Sequence, residues 1–337
     1  MTTKILMIYT GGTIGMESSA NGYTPVPGFE SLIRSRLAHS HHALLPEFDM
    51  LELNPLIDSA NLIPSHWTEI AEIIIQKHDD YNGFIVLHGT DTMAYSASML
   101  SFILQGLSKP VIFTGSQIPL SQLRNDALDN LITTLLLTSE NSINEVCIYF
   151  SGRLLRGNRS SKVKATGLDA FNSPNFPWLG QVGLNIELHS NLFLPQKQPS
   201  FLNPVFKKNA VAILPIYPGI NGKHVELLSS DPDCKAIILR SYGVGNLPDQ
   251  NQELIDALKA AAKRGVLFVN NSQCLQAEIF QGQYACSSIL NEIGVISGAE
   301  MTLEACFCKL HFLLATLTST AMIENNFVKS LAGEISR

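Results

Sequence analysis

The first half of the chain alternates short apolar runs with helical-spaced segments. Lys4–Thr10, Gly83–Leu87, Pro110–Thr114 and Glu145–Phe150 are near-continuous apolar runs, the signature of strands buried on both faces. Phe48–Leu53 is a weaker strand. Between them, Phe29–Leu37, Ser65–His78, Ala94–Leu104 and Asp126–Leu137 predict helices. In the second of these, Trp67, Ile70, Ile73, Ile74 and Lys77 fall at helical spacing, with Ser65 as the expected N-cap. This βαβ rhythm predicts a mostly parallel sheet with helices on both faces. It breaks between Gly152 and Asn209, where Gly, Pro and Asn interrupt every short segment.

The rhythm then resumes. Ala210–Pro215, Lys235–Leu239 and Gly265–Asn270 predict strands. Gly222–Leu228, Gln252–Lys263, Thr302–Thr316 and Thr320–Ala332 predict helices. The expected fold is α/β with two domains: a larger N-terminal one at 1–189, a linker at 190–209, and a smaller C-terminal α/β domain at 210–337. No solenoid period or low-complexity tract is present.

Composition narrows the function classes. Among 337 residues, 45% are hydrophobic and only 15% charged, which disfavours disorder and fits surface buried in an oligomer. The net charge of −6, with no long basic run, leaves no electrostatic footprint for nucleic acid. No apolar run approaches the roughly 18 residues of a membrane span. The apolar run Ile5–Tyr9 is too short for a signal-peptide core, so the expectation is a soluble cytoplasmic protein. Cys147, Cys234, Cys274, Cys286, Cys306 and Cys308 are irregularly spaced and read as reduced, mostly buried thiols. His39, His41 and His42 lack a carboxylate or cysteine to complete a metal set and read as a solvated loop.

Chemistry concentrates where apolar runs end. Ile5–Tyr9 runs into Thr10-Gly11-Gly12-Thr13-Ile14-Gly15, and Phe84–Leu87 into His88-Gly89-Thr90-Asp91-Thr92. In an open parallel sheet, ligands bind outside the carboxyl ends of strands. A threonine hydroxyl there is a weak nucleophile that needs a base, and turn amides beside it can face a developing oxyanion. Tyr23 follows in the loop Glu17–Pro27, a candidate lid. Asp91 can bind an ammonium or steer a lysine, and Lys162 can accept a hydroxyl proton if held in a crevice. Ser59, after Asp58, can bind a carboxylate. Each has a plainer reading: Thr13 as a turn residue, Tyr23 as a loop tyrosine, His88–Thr92 and Ser59 as caps, Lys162 as a solvated lysine. Dinucleotide, P-loop and serine-hydrolase signatures are missing.

Together, the two threonine motifs resemble the active-site signatures of bacterial-type L-asparaginases. Asp58-Ser59, Thr114-Gly115-Ser116-Gln117, Arg156-Gly157-Asn158-Arg159 with Lys162, and Ser241-Tyr242-Gly243-Val244-Gly245-Asn246 extend the resemblance along nearly the whole chain, in its cytoplasmic (type I) branch. The resemblance implies hydrolysis of L-asparagine to L-aspartate and ammonia, without metal or cofactor. It implies that Thr13 forms an acyl-enzyme, that Thr90, Asp91 and Lys162 relay protons or activate water, and that Tyr23 closes over the site. Ser59, Asp91 and Thr90 would hold the substrate. It further implies a homotetramer built as a dimer of dimers. For the loop with Asn246 it leaves two roles open, reaching a neighbouring active site or, with Arg240 and Cys274, lining a second, regulatory asparagine pocket; the plainer reading of all three is loop and interface packing. Two other readings are an amidase subunit feeding ammonia to a transfer-RNA amidotransferase, and an amino-acid sensor without turnover. The early position of the first motif argues against the former, and the intact threonine, lysine and aspartate set against the latter.

Overall fold

The protein is described by a computed structural model covering residues 3–20, 22–38, 45–281 and 285–336. The chain divides into two compact units, Met1–Asn203 and Pro204–Arg337. His39, His41 and His42 lie outside the described residues.

In the first unit the strands are β1 (Lys4–Gly11), β2 (Met16–Ser19), β3 (Gly22–Pro25), β4 (Glu47–Ile57), β5 (Gly83–Leu87), β6 (Leu104–Gln105), β7 (Val111–Thr114), β8 (Val146–Phe150), β9 (Arg153–Arg156), β10 (Ser161–Lys162), β11 (Phe171–Asn172), β12 (Gly180–Val182), β13 (Ile186–Leu188) and β14 (Ser200–Phe201). Its helices are α1 (Phe29–Ala38), α2 (Pro64–Gln76), α3 (Met93–Ile103) and α4 (Ala127–Thr138). Eight strands form one sheet in the order β13-β12-β9-β8-β7-β5-β1-β4. From β4 to β8 every pairing is parallel, and β9, β12 and β13 continue it antiparallel.

The apolar runs form central strands because both of their faces are covered. Ile5, Met7, Tyr9, Ile85 and Leu87 pack with Phe29 and Ile33 of α1 and Leu131 and Leu135 of α4. Leu6, Ile8, Phe84 and Val86 point to the opposite face and are equally buried. Helix α3 is buried on nearly every side, which explains its apolar composition all round.

The second unit has a four-stranded parallel sheet, β15 (Val211–Pro215), β16 (Ala236–Ser241), β17 (Leu267–Ser272) and β18 (Ile296–Ser297), in sequential order. Its helices are α5 (Lys223–Ser229), α6 (Gln252–Lys263), α7 (Ala285–Ile293), α8 (Leu303–Thr316) and α9 (Thr320–Phe327). Ile237, Leu239 and Phe268 pack with Leu254 and Leu258 of α6 and Leu290 of α7. The expected α/β class and mostly parallel sheet are found.

Several local expectations are corrected. Helix α2 starts at Pro64, so Ser65 is not its cap. Pro64 supplies the pre-set φ of a first helical residue, and the Ile63 N–H bonds His66 Nδ1 at 3.1 Å. The final helix stops at Phe327 rather than Ala332, and Lys309 Nζ, itself buried, takes the carbonyls of Phe327 and Lys329. The loop Glu17–Pro27 is largely a hairpin, with Ser18 opposite Tyr23. Residues 190–203, expected within the linker, fall in the first unit, where Ser200–Phe201 pairs with Leu104–Gln105. Cys147, Cys234, Cys306 and Cys308 are buried free thiols, and Cys274 is exposed. Among the described residues, no helix is long and apolar enough to cross a membrane.

Candidate active site

Four neighbouring parallel strands, β7, β5, β1 and β4, deliver their carboxyl ends side by side, and each continues into one of the motifs. Gln117 follows β7, Thr90 follows β5, Thr13 follows β1 and Ser59 follows β4. The topology thus gathers residues more than a hundred positions apart onto one sheet edge.

Two glycines let the motifs touch. Gly12 has φ +86°, and a Cβ there would meet the Gly89 backbone, with Gly89 Cα at 2.5 Å. A Cβ on Gly89 would in turn strike Ser59, with Ser59 Cβ at 2.6 Å, and lie 3.3 Å from Gly12 Cα. The backbone of the second motif is therefore held between the Thr13 turn and Ser59. Thr10 Oγ1 donates to Leu87 O at 2.9 Å, tying the first residue of one motif to the residue just before the other.

Thr13 opens a short 3-10 turn, half-buried. Leu120 N–H donates to Ile14 O at 3.0 Å, and Val26 N–H to Gly15 O at 3.3 Å. The second bond fastens the end of the β2–β3 hairpin to the turn. Tyr23 sits on that hairpin, half-exposed.

The second cluster is complete in itself. Lys162 Nζ donates to Thr90 Oγ1 at 2.8 Å and to Asp91 Oδ1 at 2.7 Å. Thr90 is 6% exposed, whereas the Asp91 side chain is 59% exposed, so one carboxylate edge faces solvent. The plainer reading of Lys162 as a solvated loop lysine is thereby excluded.

Gln117 completes the geometry. Its Nε2 donates to Ala165 O at 3.0 Å and Gly167 O at 3.1 Å, which forces Oε1 toward Thr90. The Thr90 hydroxyl donates to that oxygen at 3.3 Å. Thr90 thus gives its proton toward Gln117 while receiving one from Lys162. Gln117 belongs to the Thr114-Gly115-Ser116-Gln117 segment, to which the sequence assigns no role, and its separation from Thr90 along the chain hides the contact.

Lys162 is aimed by a buried scaffold. It lies on β10, paired with Phe171. Just upstream, the Arg156 guanidinium bonds the buried Glu145 carboxylate at 2.5 and 3.3 Å and Leu192 O at 2.6 Å. Arg156 and Arg159 both stack near the Phe176 ring, at 4.6 and 4.8 Å from its centroid.

His88 is not a base poised for chemistry. It is fully buried, with Nδ1 2.8 Å from Gly89 O and Nε2 2.9 Å from Ser96 Oγ. The carbonyl can only accept, so Nδ1 carries the proton and Nε2 accepts from Ser96. Ser96 Oγ receives Trp67 Nε1–H at 3.2 Å. Burial pushes the His88 pKa down to about 4, so the ring is neutral near neutral pH.

In the second unit, Arg240 at the end of β16 donates to Asn271 Oδ1 at 2.6 Å and to Gln273 O at 3.3 Å. The Cys274 N–H bonds Ser272 Oγ at 3.0 Å. Asn246 closes a tight turn with Tyr242, exchanging backbone bonds of 3.0 and 2.9 Å. Arg240 and the Cys274 segment therefore meet at the ends of adjacent strands, with Asn246 on the loop leaving β16.

Residues 4–194 match the family described as Asparaginase, N-terminal, and residues 210–327 that described as Glutaminase/Asparaginase C-terminal domain. The chain belongs to the asparaginase family. It is 43% identical over 333 residues to L-asparaginase 1 of Escherichia coli (strain K12), spanning 99% of this chain and 98% of that protein. Its fold is similar to L-asparaginase I from Vibrio cholerae O1 biovar eltor str. N16961, with a TM-score of 0.90, 41% identity and 100% of both chains covered. It is also similar to the thermostable L-asparaginase from Thermococcus kodakarensis, with a TM-score of 0.90, 27% identity, and 99% of this chain and 100% of that one covered. The family read from the two threonine motifs is the family found.

Proposed function

We propose that this protein hydrolyses L-asparagine to L-aspartate and ammonia through an acyl-enzyme on Thr13. The observation that carries the reading is the Lys162–Thr90–Asp91 cluster on a strand end adjacent to the Thr13 turn, which Gly12 and Gly89 bring into contact. In the first half-reaction, Thr13 Oγ1 bonds to the side-chain amide carbon. The C–N bond breaks, and the nitrogen leaves as ammonia carrying the hydroxyl proton. In the second, water adds to the ester carbon, the carbon–Oγ1 bond breaks, and a water proton returns to Thr13 as aspartate leaves. Amides of the glycine-rich turn stabilise the oxyanion of both steps.

Thr90 and Lys162 hand protons along this path, and Tyr23 closes over the substrate from its hairpin. Asp91 Oδ1 is engaged by Lys162, which leaves Oδ2 for the substrate's α-ammonium. Ser59 takes the α-carboxylate. The reaction uses no metal or cofactor, and the assembly is a cytoplasmic homotetramer, a dimer of dimers. The test is ammonia release. Wild type should turn over asparagine, and Thr13→Ala and Thr90→Val should fold with negligible activity. Near-normal turnover in either variant would overturn the mechanism.

A second, regulatory asparagine pocket at Arg240, Asn246 and Cys274 belongs to the same reading, supported by the meeting of Arg240 with the Cys274 segment. Sigmoidal asparagine kinetics are expected. Strictly hyperbolic kinetics with one bound asparagine per subunit would count against it.

A further inference from the structure

Thr92 stands at the N-cap of α3, a position where a threonine hydroxyl normally takes a free helix N–H. Here it takes none. Its Oγ1 instead donates to Ser59 O at 2.8 Å, across 33 residues of sequence. Ser59 lies in a short 3-10 turn just beyond the end of β4, where sheet pairing no longer holds the chain. Within that turn, Asp58 Oδ1 accepts from Ala60 N–H at 3.2 Å, and Leu62 N–H reaches Ser59 O at 3.2 Å. These bonds shape the turn but do not anchor it to its neighbours. Thr92 does, and Gly89 supplies the surface on which the Ser59 side chain rests. The second motif therefore grips Ser59 at both ends, by contact at Gly89 and by hydrogen bond at Thr92. Ser59 is 3% exposed, and its peptide and its side chain are each met by a different residue of the second motif. A hydroxyl carried on a backbone fixed in this way, at the carboxyl ends of parallel strands, stands where ligands bind in such sheets.

We propose that Thr92 is a positioning residue for substrate binding: its hydroxyl fixes the Ser59 peptide so that Ser59 Oγ meets the substrate's α-carboxylate. This rests on the reading of Ser59 as the α-carboxylate site. Thr92→Val is the decisive variant because it keeps the shape, removes no helix cap, and leaves Ser59 O still bonded by Leu62. It is expected to raise KM for L-asparagine about tenfold with kcat nearly unchanged, by loosening one bond to a charged group. Thr92→Ser is expected to restore KM.

The double variant with Ser59→Ala separates positioning from plain packing. If Thr92 acts through Ser59, adding Thr92→Val to Ser59→Ala should raise KM no further. Additive effects, or an unchanged KM in the single variant, would overturn the proposal. Failure of wild type to release ammonia from asparagine would instead overturn the functional reading, so the two failures are distinguishable.

Discussion

At the scale of single residues, Lys162 has the most to decide. Its ammonium donates to both Thr90 and Asp91, so two roles are open to it: a fixed positive charge, or a group that gives and takes protons. Arginine separates these, because a guanidinium keeps the charge but does not give up its proton in proteins. Lys162→Met is expected to lower kcat by roughly 100-fold or more, the scale of a lost general acid or base. Lys162→Arg should fail similarly if protons move through this position. Steady-state ammonia release checks both, and strong recovery in Lys162→Arg would reduce lysine to an electrostatic role. Gln117 bears on the same Thr90 hydroxyl. With its amide fixed by Ala165 and Gly167, it holds the Thr90 proton away from Lys162 and leaves a Thr90 lone pair facing the ammonium.

At the scale of elements, the two motifs lie together because two turns can touch. Gly89 has no positive φ, so alanine there brings no backbone strain; its Cβ would simply collide with Ser59. Gly89→Ala is expected to cost about 1–3 kcal/mol of stability from overpacking, and to raise KM by displacing Ser59. A thermal melt together with asparagine kinetics checks this, and wild-type KM would mean that Ser59 yields without consequence. Such contacts mark the limit of the sequence. The runs Ile5–Tyr9 and Phe84–Leu87 announced buried strands, and their threonine-glycine endings announced the family. The strand order β7-β5-β1-β4 that makes those endings neighbours was not written in either run. Nor were the short antiparallel strands β9, β12 and β13, whose pairing partners lie across turns with little hydrophobic periodicity. The β2–β3 hairpin read as a loop because its strands are largely exposed and carry no apolar alternation. Lys162 read as solvated because its shelter is tertiary: the stacked Arg156 and Arg159 upstream and the strand pairing with Phe171.

At the scale of the whole molecule, acid should act on both units through buried histidines. His88 in the first unit and His311 in the second are each pushed down to about 4 by burial, from an ordinary 6.5. Above about pH 7.5 the histidines are neutral in folded and unfolded chains alike and contribute no pH dependence. As pH falls below 6.5, the unfolded chain takes up protons that the folded one refuses, so stability drops until about pH 4 and then levels off. Between about pH 7.5 and about pH 5, each histidine should account for a loss of about 2 kcal/mol. The two tryptophans, Trp67 and Trp178, both lie in the first unit, so their emission in a urea titration reports the unit containing His88. Far-UV circular dichroism reports both units together. His88→Asn is expected to lower stability near neutrality, since Ser96 loses its acceptor, yet to flatten the pH dependence of the tryptophan transition. His311→Gln should leave that transition's pH dependence unchanged and flatten only the dichroism signal. An equally steep tryptophan transition in His88→Asn would mean that other groups carry the acid sensitivity of the first unit.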